Sequence, residues 1–518
     1  MATHNHFVLD RGGKVFNRSS PVIKLPESAT EDDHLRLLGL LDSSTACFWL
    51  KQVSHNKGSQ GINEGFKAED WERFFEFTGT KLEQFPLPKE ASVDLAGKLD
   101  TLAQQLKATT PAAVCTDSTP TRAGLNAARD RWQDLHAQMI ALQEELDWQV
   151  YGLYGLLTPA DDLTYHGPDL PRLNLGERAF EIALARRVAS GEEETAWFER
   201  HGSTPITDVP CTWPAAYKDL VERRLACITE RRDIALIERP ECKRRWATDP
   251  WEKQEQAALR GWLLDRLERP ALWQDRQGQF QVRSADQLAD TMAGDAEFVS
   301  VLQLYLGRPD LHLATELVRL MAPESVPFLA ALRYRDTGLR KRQEWEHVWD
   351  LQRREDRGEQ TGPIPVPPKY AQADFASGEV WRHRGKLDVP KERFISYPGA
   401  ERDSSRSPVF GWVGWDHLQQ GMALATVALD RRQRDGWSGE RLTPLLAGLA
   451  ELEPWLHQWH GDHDPRFSGS PAAYLTGILE QQLVVLRLTR NDLAAWRPER
   501  RRGRAGRTAA TIVEEPAE

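Results

Sequence analysis

A chain of 518 residues, 40% of them hydrophobic, is long enough for two to four domains with ordinary cores. A net charge of −10 excludes a surface coated in basic charge for indiscriminate nucleic-acid binding, while leaving room for a local basic groove. No apolar run nears the roughly 20 residues that cross a bilayer, and the polar start at residues 1–7 is unlike a signal peptide, so a cytoplasmic protein with no membrane partner is expected.

In chain order, residues 1–90 read as a small mixed α/β domain. Residues 6–9 are a short extended run, Gly12-Gly13 makes a turn, and residues 14–17 and 22–25 resume strand-like sequence. Glu31-Asp32-Asp33 open a helix, since acids suit its positive end. Its apolar stripe is Leu35, Leu38, Leu41, Ala46 and Trp49. A polar loop with three glycines follows at 57–65, and residues 71–77 alternate as a strand.

Residues 91–160 form a long-helix region. Leu125, Ala128, Trp132, Leu135, Met139, Leu142, Leu146, Val150, Leu153 and Leu157 fall in steps of three and four. Such a heptad seam needs a partner helix, in this chain or in another. Thr158-Pro159 is its expected stop. Residues 161–360 continue as a helical spacer, with helices near 175–190, 215–238, 251–268, 285–292, 297–306, 311–321 and 326–357 between prolines. The proline-rich segment 361–368 reads as a stiff linker and the sharpest domain boundary. Residues 369–496 form a C-terminal mixed and helical module, with helices at 417–434, 442–460 and 471–496. The apolar-poor tail 497–518 is expected to be disordered. The fold class is α+β and predominantly α-helical.

The five cysteines have no Cys-x-x-Cys spacing and read as buried free thiols. Most of the 19 tryptophans read as packing anchors. His457, His460 and His463 with Asp462 and Asp464 raise a metal reading. No matched carboxylate lies elsewhere at a recognisable spacing, so a polar helix end is preferred and no metal is expected.

Three motif groups carry a resemblance. The first is Asp10-Arg11-Gly12-Gly13-Lys14-Val15-Phe16-Asn17-Arg18, then Pro21 to Pro26, then Leu38-Gly39-Leu40-Leu41-Asp42-Ser43-Ser44 with Phe48-Trp49-Leu50-Lys51. The second is Leu142-Gln143-Glu144-Glu145-Leu146-Asp147-Trp148 with Tyr151-Gly152-Leu153-Tyr154-Gly155-Leu156. The third is Arg393 to Arg402 with Gly411-Trp412-Val413-Gly414-Trp415-Asp416-His417-Leu418. The first two resemble the target-recognition region and specificity helix of large restriction–modification methyltransferases, with Asp42 where Asn is commoner. Together with the third they resemble the C-terminal portion of the PglX family, the adenine-specific DNA methyltransferases of BREX and phage-growth-limitation defence systems, nearest to BREX type 2.

The resemblance implies S-adenosylmethionine as methyl donor and an Asn-Pro-Pro-Tyr-type motif that holds a flipped adenine. Neither is found here. Val366-Pro367-Pro368-Lys369-Tyr370 has valine where the amine acceptor belongs. Gly152-Leu153-Tyr154-Gly155 falls on the heptad helix, and Gly12-Gly13 in a turn. The expectation is therefore a DNA-recognition portion with no complete Rossmann-type methyltransferase domain, no catalytic residue and no cofactor of its own. The donor would be bound by a domain outside this chain. Expected partners are double-stranded DNA, a separate catalytic methyltransferase subunit docked through the heptad seam, and other BREX proteins. Two alternatives stay open: a non-catalytic helical scaffold for defence-complex assembly, and an inactive truncated fragment.

The candidate DNA contacts fall in three groups. Arg11, Lys14, Arg18 and Lys24, with Asn17 and Ser19, suit phosphate gripping and base reading; the alternative is a solvated hairpin. Lys51, Asn56, Lys57 and Gln60 lie in and before a loop able to enter a groove, or are plain surface. Arg382, Arg384, Lys386 and Arg393, beside Trp381 and Tyr397, suit a nucleic-acid strand by charge and stacking, or form a solvated basic face.

Overall fold

The computed structural model describes residues 2–16, 22–58, 69–89, 93–168, 170–246, 248–385 and 391–498. Asn17, Arg18, Ser19, Gln60, Lys386 and the tail from 499 on lie outside the described residues. Helices make up 59% of the structure, and the strands are short and few. Contacts divide the chain into two compact units, Met1–Leu259 and Arg260–Glu518. The division falls within the helix Trp251–Leu267. The proline-rich segment 361–368 lies inside the second unit, where Trp345 Nε1 donates to the Pro368 carbonyl at 2.8 Å.

In the first unit, Thr30 opens the helix Glu31–Leu41 through a capping box with Asp33, as the acidic cluster leads one to expect. The expected single helix through Trp49 is two, because Ser43 breaks the ladder and caps a new helix, Ser44–Val53, by accepting from Ala46 N. The expected strands at 6–9, 14–17 and 22–25 do not form among the described residues. Gly12 and Gly13 do turn at positive φ. Val15, Phe16, Val22 and Ile23 are exposed, so a hairpin there has no apolar face to bury and no sheet to join. Instead Asn5 Nδ2 donates to the Leu41 and Ser43 carbonyls at 2.6 and 3.1 Å, and Phe7 N to Asp42 at 2.9 Å. Strands β1 (His55–Asn56) and β2 (Phe75–Glu76) pair antiparallel, and Ala2 bridges to Phe75.

The 32-residue helix Arg122–Leu153 is the axis of this unit. Its seam is occupied from within the chain by the helices Asp94–Ala108 and Pro111–Asp117, the in-chain case of the partner helix that such a seam needs. Met139, Ile140, Trp148 and Tyr151 meet Ile182, Tyr217, Leu220 and Leu225 in one core. The helix stops at Leu153, ahead of the expected proline stop. Gly155 takes φ +70°, Leu156 N donates to the Tyr151 carbonyl and Gly155 N to that of Gly152, a Schellman closure.

In the second unit, four strands form a sheet in the order β3-β6-β5-β4: β3 Arg283–Ser284, β4 Ser325–Pro327, β5 Phe394–Ser396 and β6 Val409–Trp412. β4 runs parallel to β5, and the other pairs are antiparallel. The helix expected over 326–357 is corrected. Pro327 holds Val326 extended, so the chain gives β4, a turn of helix at Ala330–Arg333, and a helix at Asp336–Asp356. Beside the sheet, His417–Gln433, Gly439–Trp459 and Pro471–Leu486 bury Leu424, Leu445, Leu449, Leu475 and Leu479 together.

Candidate functional site

Of the candidates in the first unit, Arg11, Lys14, Lys24, Asn56 and Lys57 are exposed. Arg11 reaches Glu31 at 2.5 Å and Asp100 at 2.8 Å, and Lys14 reaches Asp10 at 3.2 Å. Lys24 is exposed. Lys57 pairs with Glu76 at 2.8 Å across β1 and β2, and Asn56 Oδ1 accepts from Gly58 N. Lys51 turns inward, donating to the Glu241 carbonyl at 2.6 Å and lying over the Phe75 ring. The structure thus brings Lys51, Asn56 and Lys57 together around one small sheet next to the amino terminus. Arg11 and Lys14 are held elsewhere by their own acids.

The arginines of the second unit are also engaged. Arg382 donates to the Pro323 carbonyl at 3.1 Å, Arg384 pairs with Glu392, and Arg393 reaches Asp265 and Glu268 at 2.5 Å each. They tie the turn at 381–385 and strand β5 to their neighbours. Among the described residues no group of three or more His, Cys, Asp or Glu is arranged to hold a metal ion. His457 Nε2 lies 3.4 Å from the Thr476 hydroxyl. Cys47, Cys115 and Cys242 are buried, whereas Cys211 is exposed, which corrects the expectation for that thiol.

The densest chemistry of the first unit was not anticipated. Glu144 and Asp147, one turn apart on the long helix, face Lys243 at 3.4 and 2.9 Å, and Glu238 meets the same ammonium at 2.6 Å. All four side chains are buried. Tyr151 donates its hydroxyl to Glu238, and Trp148 Nε1 donates to Glu144 at 3.1 Å. Beside them Arg224 pairs with Glu145 at 2.7 Å and Arg178 with Glu181 at 2.8 Å. Arg178 also donates to the Lys243 carbonyl at 2.9 Å.

This network joins two of the sequence motifs. Ser44 N donates to Asp147 at 2.8 Å, Ser44 Oγ lies 2.7 Å from the Tyr151 hydroxyl, and Gln143 Nε2 donates to the Asp42 carbonyl at 3.3 Å. Asp42 in turn pairs with Arg245 at 2.7 Å. The Leu-Leu-Asp-Ser-Ser and Leu-Gln-Glu-Glu-Leu-Asp-Trp segments are therefore two halves of one buried polar joint. A sign was present in the sequence: three acids inside an apolar heptad seam demand buried cations.

Burial pushes the Glu238 carboxyl up to about 7, against the pull of Lys243. Burial also raises Glu144, but Lys243, Arg224 and Arg178 outweigh it and hold its carboxyl below the ordinary range. For Glu238 the folded value exceeds the unfolded one. Its contribution to stability is full below the unfolded value and is lost as pH rises through about 7. In urea melts between pH 5 and 8, Glu238→Gln is expected to remove this loss and flatten the profile. Identical slopes for the two proteins would contradict the assignment.

Residues 139–508 match the family model described as a domain of unknown function, DUF7008. The chain belongs to the DUF7008 family. The DUF7008 match takes in the acidic motif of the long helix and nearly all of the second unit. The chain is also 49% identical over 512 residues to a protein named adenine-specific methyltransferase PglX from Streptomyces coelicolor. That alignment covers 96% of this chain and 42% of the relative, on its C-terminal portion. The resemblance read from the motifs is thus matched by identity across nearly the whole chain. No solved structure matches it.

Proposed function

We propose that this DUF7008 chain is the DNA-recognition portion of a BREX-type adenine-specific methyltransferase that marks self DNA in phage defence. The 49% identity to PglX over nearly the full chain carries the reading. The exposed side chains of Arg11, Lys14 and Lys24, and the sheet edge with Asn56 and Lys57, supply donors for phosphate and base contacts. Methyl transfer from S-adenosylmethionine belongs to a catalytic part outside these residues, so the chain acts with that partner on double-stranded DNA. Among the described residues no helix is long and apolar enough to cross a membrane.

The test has two arms. Binding to a duplex library, unmethylated and adenine-methylated, is measured over a salt series. Affinity should fall steeply with salt, and Lys14→Ala, Lys24→Ala and Lys57→Ala should each reduce the log–log slope by about 1. Co-expression with the catalytic part should methylate host adenines at one sequence. Absent or salt-insensitive DNA binding, with both proteins soluble and no methylation, rejects the proposal and favours a scaffold.

A further inference from the structure

Within the second unit a cavity of about 220 Å³ opens between β5 and the helices Asp336–Asp356, His417–Gln433 and Gly439–Trp459. Arg333, Arg342 and Arg384 line it, with aromatic walls from Phe328, Tyr397 and Trp455. Phe328 stacks on Tyr397 at 5.0 Å, and His417 on Trp455 at 5.4 Å. We propose that this cavity binds a phosphate-type oxyanion, as inorganic phosphate or as the phosphate of a small nucleotide, through the guanidinium groups of Arg333 and Arg384.

Charge and unused donors carry the assignment. Glu451 is the one carboxylate on the cavity wall among the described residues. Its oxygens already accept from Ala330 N at 3.3 and 3.2 Å and from Arg342 at 2.7 Å. Arg333 reaches Glu451 and the Phe328 carbonyl only at 3.5 Å. Arg342 has a second partner in Glu346 at 2.9 Å, and Arg384 pairs with Glu392. Among the described residues, that leaves the buried atoms Arg333 Nε and Arg384 Nε with no hydrogen-bond partner.

A buried guanidinium with an unused N–H costs free energy until an acceptor fills the place. Water satisfies the hydrogen bond but not the charge. An oxyanion satisfies both, and charge-assisted bonds from arginine to phosphate are among the stronger polar contacts. Burial and then Arg384 lower Arg333 to about 10, while Glu451 pulls it up. The cavity is smaller than the roughly 300–1,000 Å³ typical of drug-sized ligands. A phosphate group fits inside it, and the rest of a nucleotide would lie towards the opening.

The full chain is titrated with inorganic phosphate, adenosine monophosphate and adenosine at constant ionic strength, by calorimetry and by thermal melting. Phosphate and the nucleotide should bind saturably and raise the melting temperature, and adenosine alone should not. Equal affinities identify inorganic phosphate as the ligand, and a nucleotide at least about tenfold tighter identifies the ester. Arg333→Gln and Arg384→Gln should each weaken binding about tenfold or more. Where one variant fails to fold, the other and the wild-type titration decide. No saturable effect beyond matched chloride, or undiminished binding in the variants, overturns the proposal. The result is independent of DNA recognition, which is read by duplex binding.

Discussion

Lys243→Met is expected to destabilise the first unit by about 3–5 kcal/mol, a large share of the roughly 5–15 kcal/mol that holds a domain. The ammonium is buried, and three carboxylates depend on it, Glu238, Asp147 and Glu144, within 2.6 to 3.4 Å. Methionine fills the volume but leaves these acids facing one another in a dry core. They must then take up protons or draw in water, and either route costs free energy. The damage reaches further than one side chain, because Asp147 also receives Ser44 N and so seats the Ser44–Val53 helix on the long helix. Urea unfolding followed by circular dichroism measures the loss. Adding Glu238→Gln to Lys243→Met should recover part of it, since one buried charge is then gone. A loss below about 1 kcal/mol, typical of exposed pairs, would mean that the network is solvated.

Trp273→Ala is expected to cost the second unit about 3–5 kcal/mol. The indole is fully buried, its Nε1 donates to the Leu267 carbonyl at 2.9 Å, and its ring stands edge-on to Trp415 at 6.1 Å and tilted to Phe394 at 6.0 Å. It joins the end of the helix Trp251–Leu267 to strand β5 and to the turn after β6. Alanine opens a cavity that the sheet cannot collapse to fill. Trp273→Phe should cost less, keeping much of the packing and losing the hydrogen bond. Thermal melts of the two variants against the wild type give the order. A phenylalanine variant no more stable than the alanine one would place the weight on the hydrogen bond instead.

Much of the helical layout was legible because capping and periodicity are local. Ser284 and Asp416 open helices through capping boxes, and the helix expected at 285–292 is found at Ala285–Met292. The strands were less legible. β4 and β5 pair across about 70 residues of intervening chain, so Val326 reads as the start of a helix until Ile395 is beside it. The site was legible as motifs but not as one buried joint. Leu41 to Ser44 and Gln143 to Trp148 stood out, yet they meet each other inside the molecule at Ser44 and Asp147. Arg384 and Arg393 stood out as a basic face, and their acids, Glu392, Asp265 and Glu268, come from other turns of the fold.

Composition, caps and the run of residues from Arg122 to Leu153 were enough to set the helical class, and three short motif groups the family resemblance, since each rests on residues near one another along the chain. Tertiary structure alone decided which charges are buried and which are free. An arginine or glutamate carries the same charge in either place, and only its distance from water and from an opposite charge, set by segments far apart in sequence, tells a core network from a binding surface.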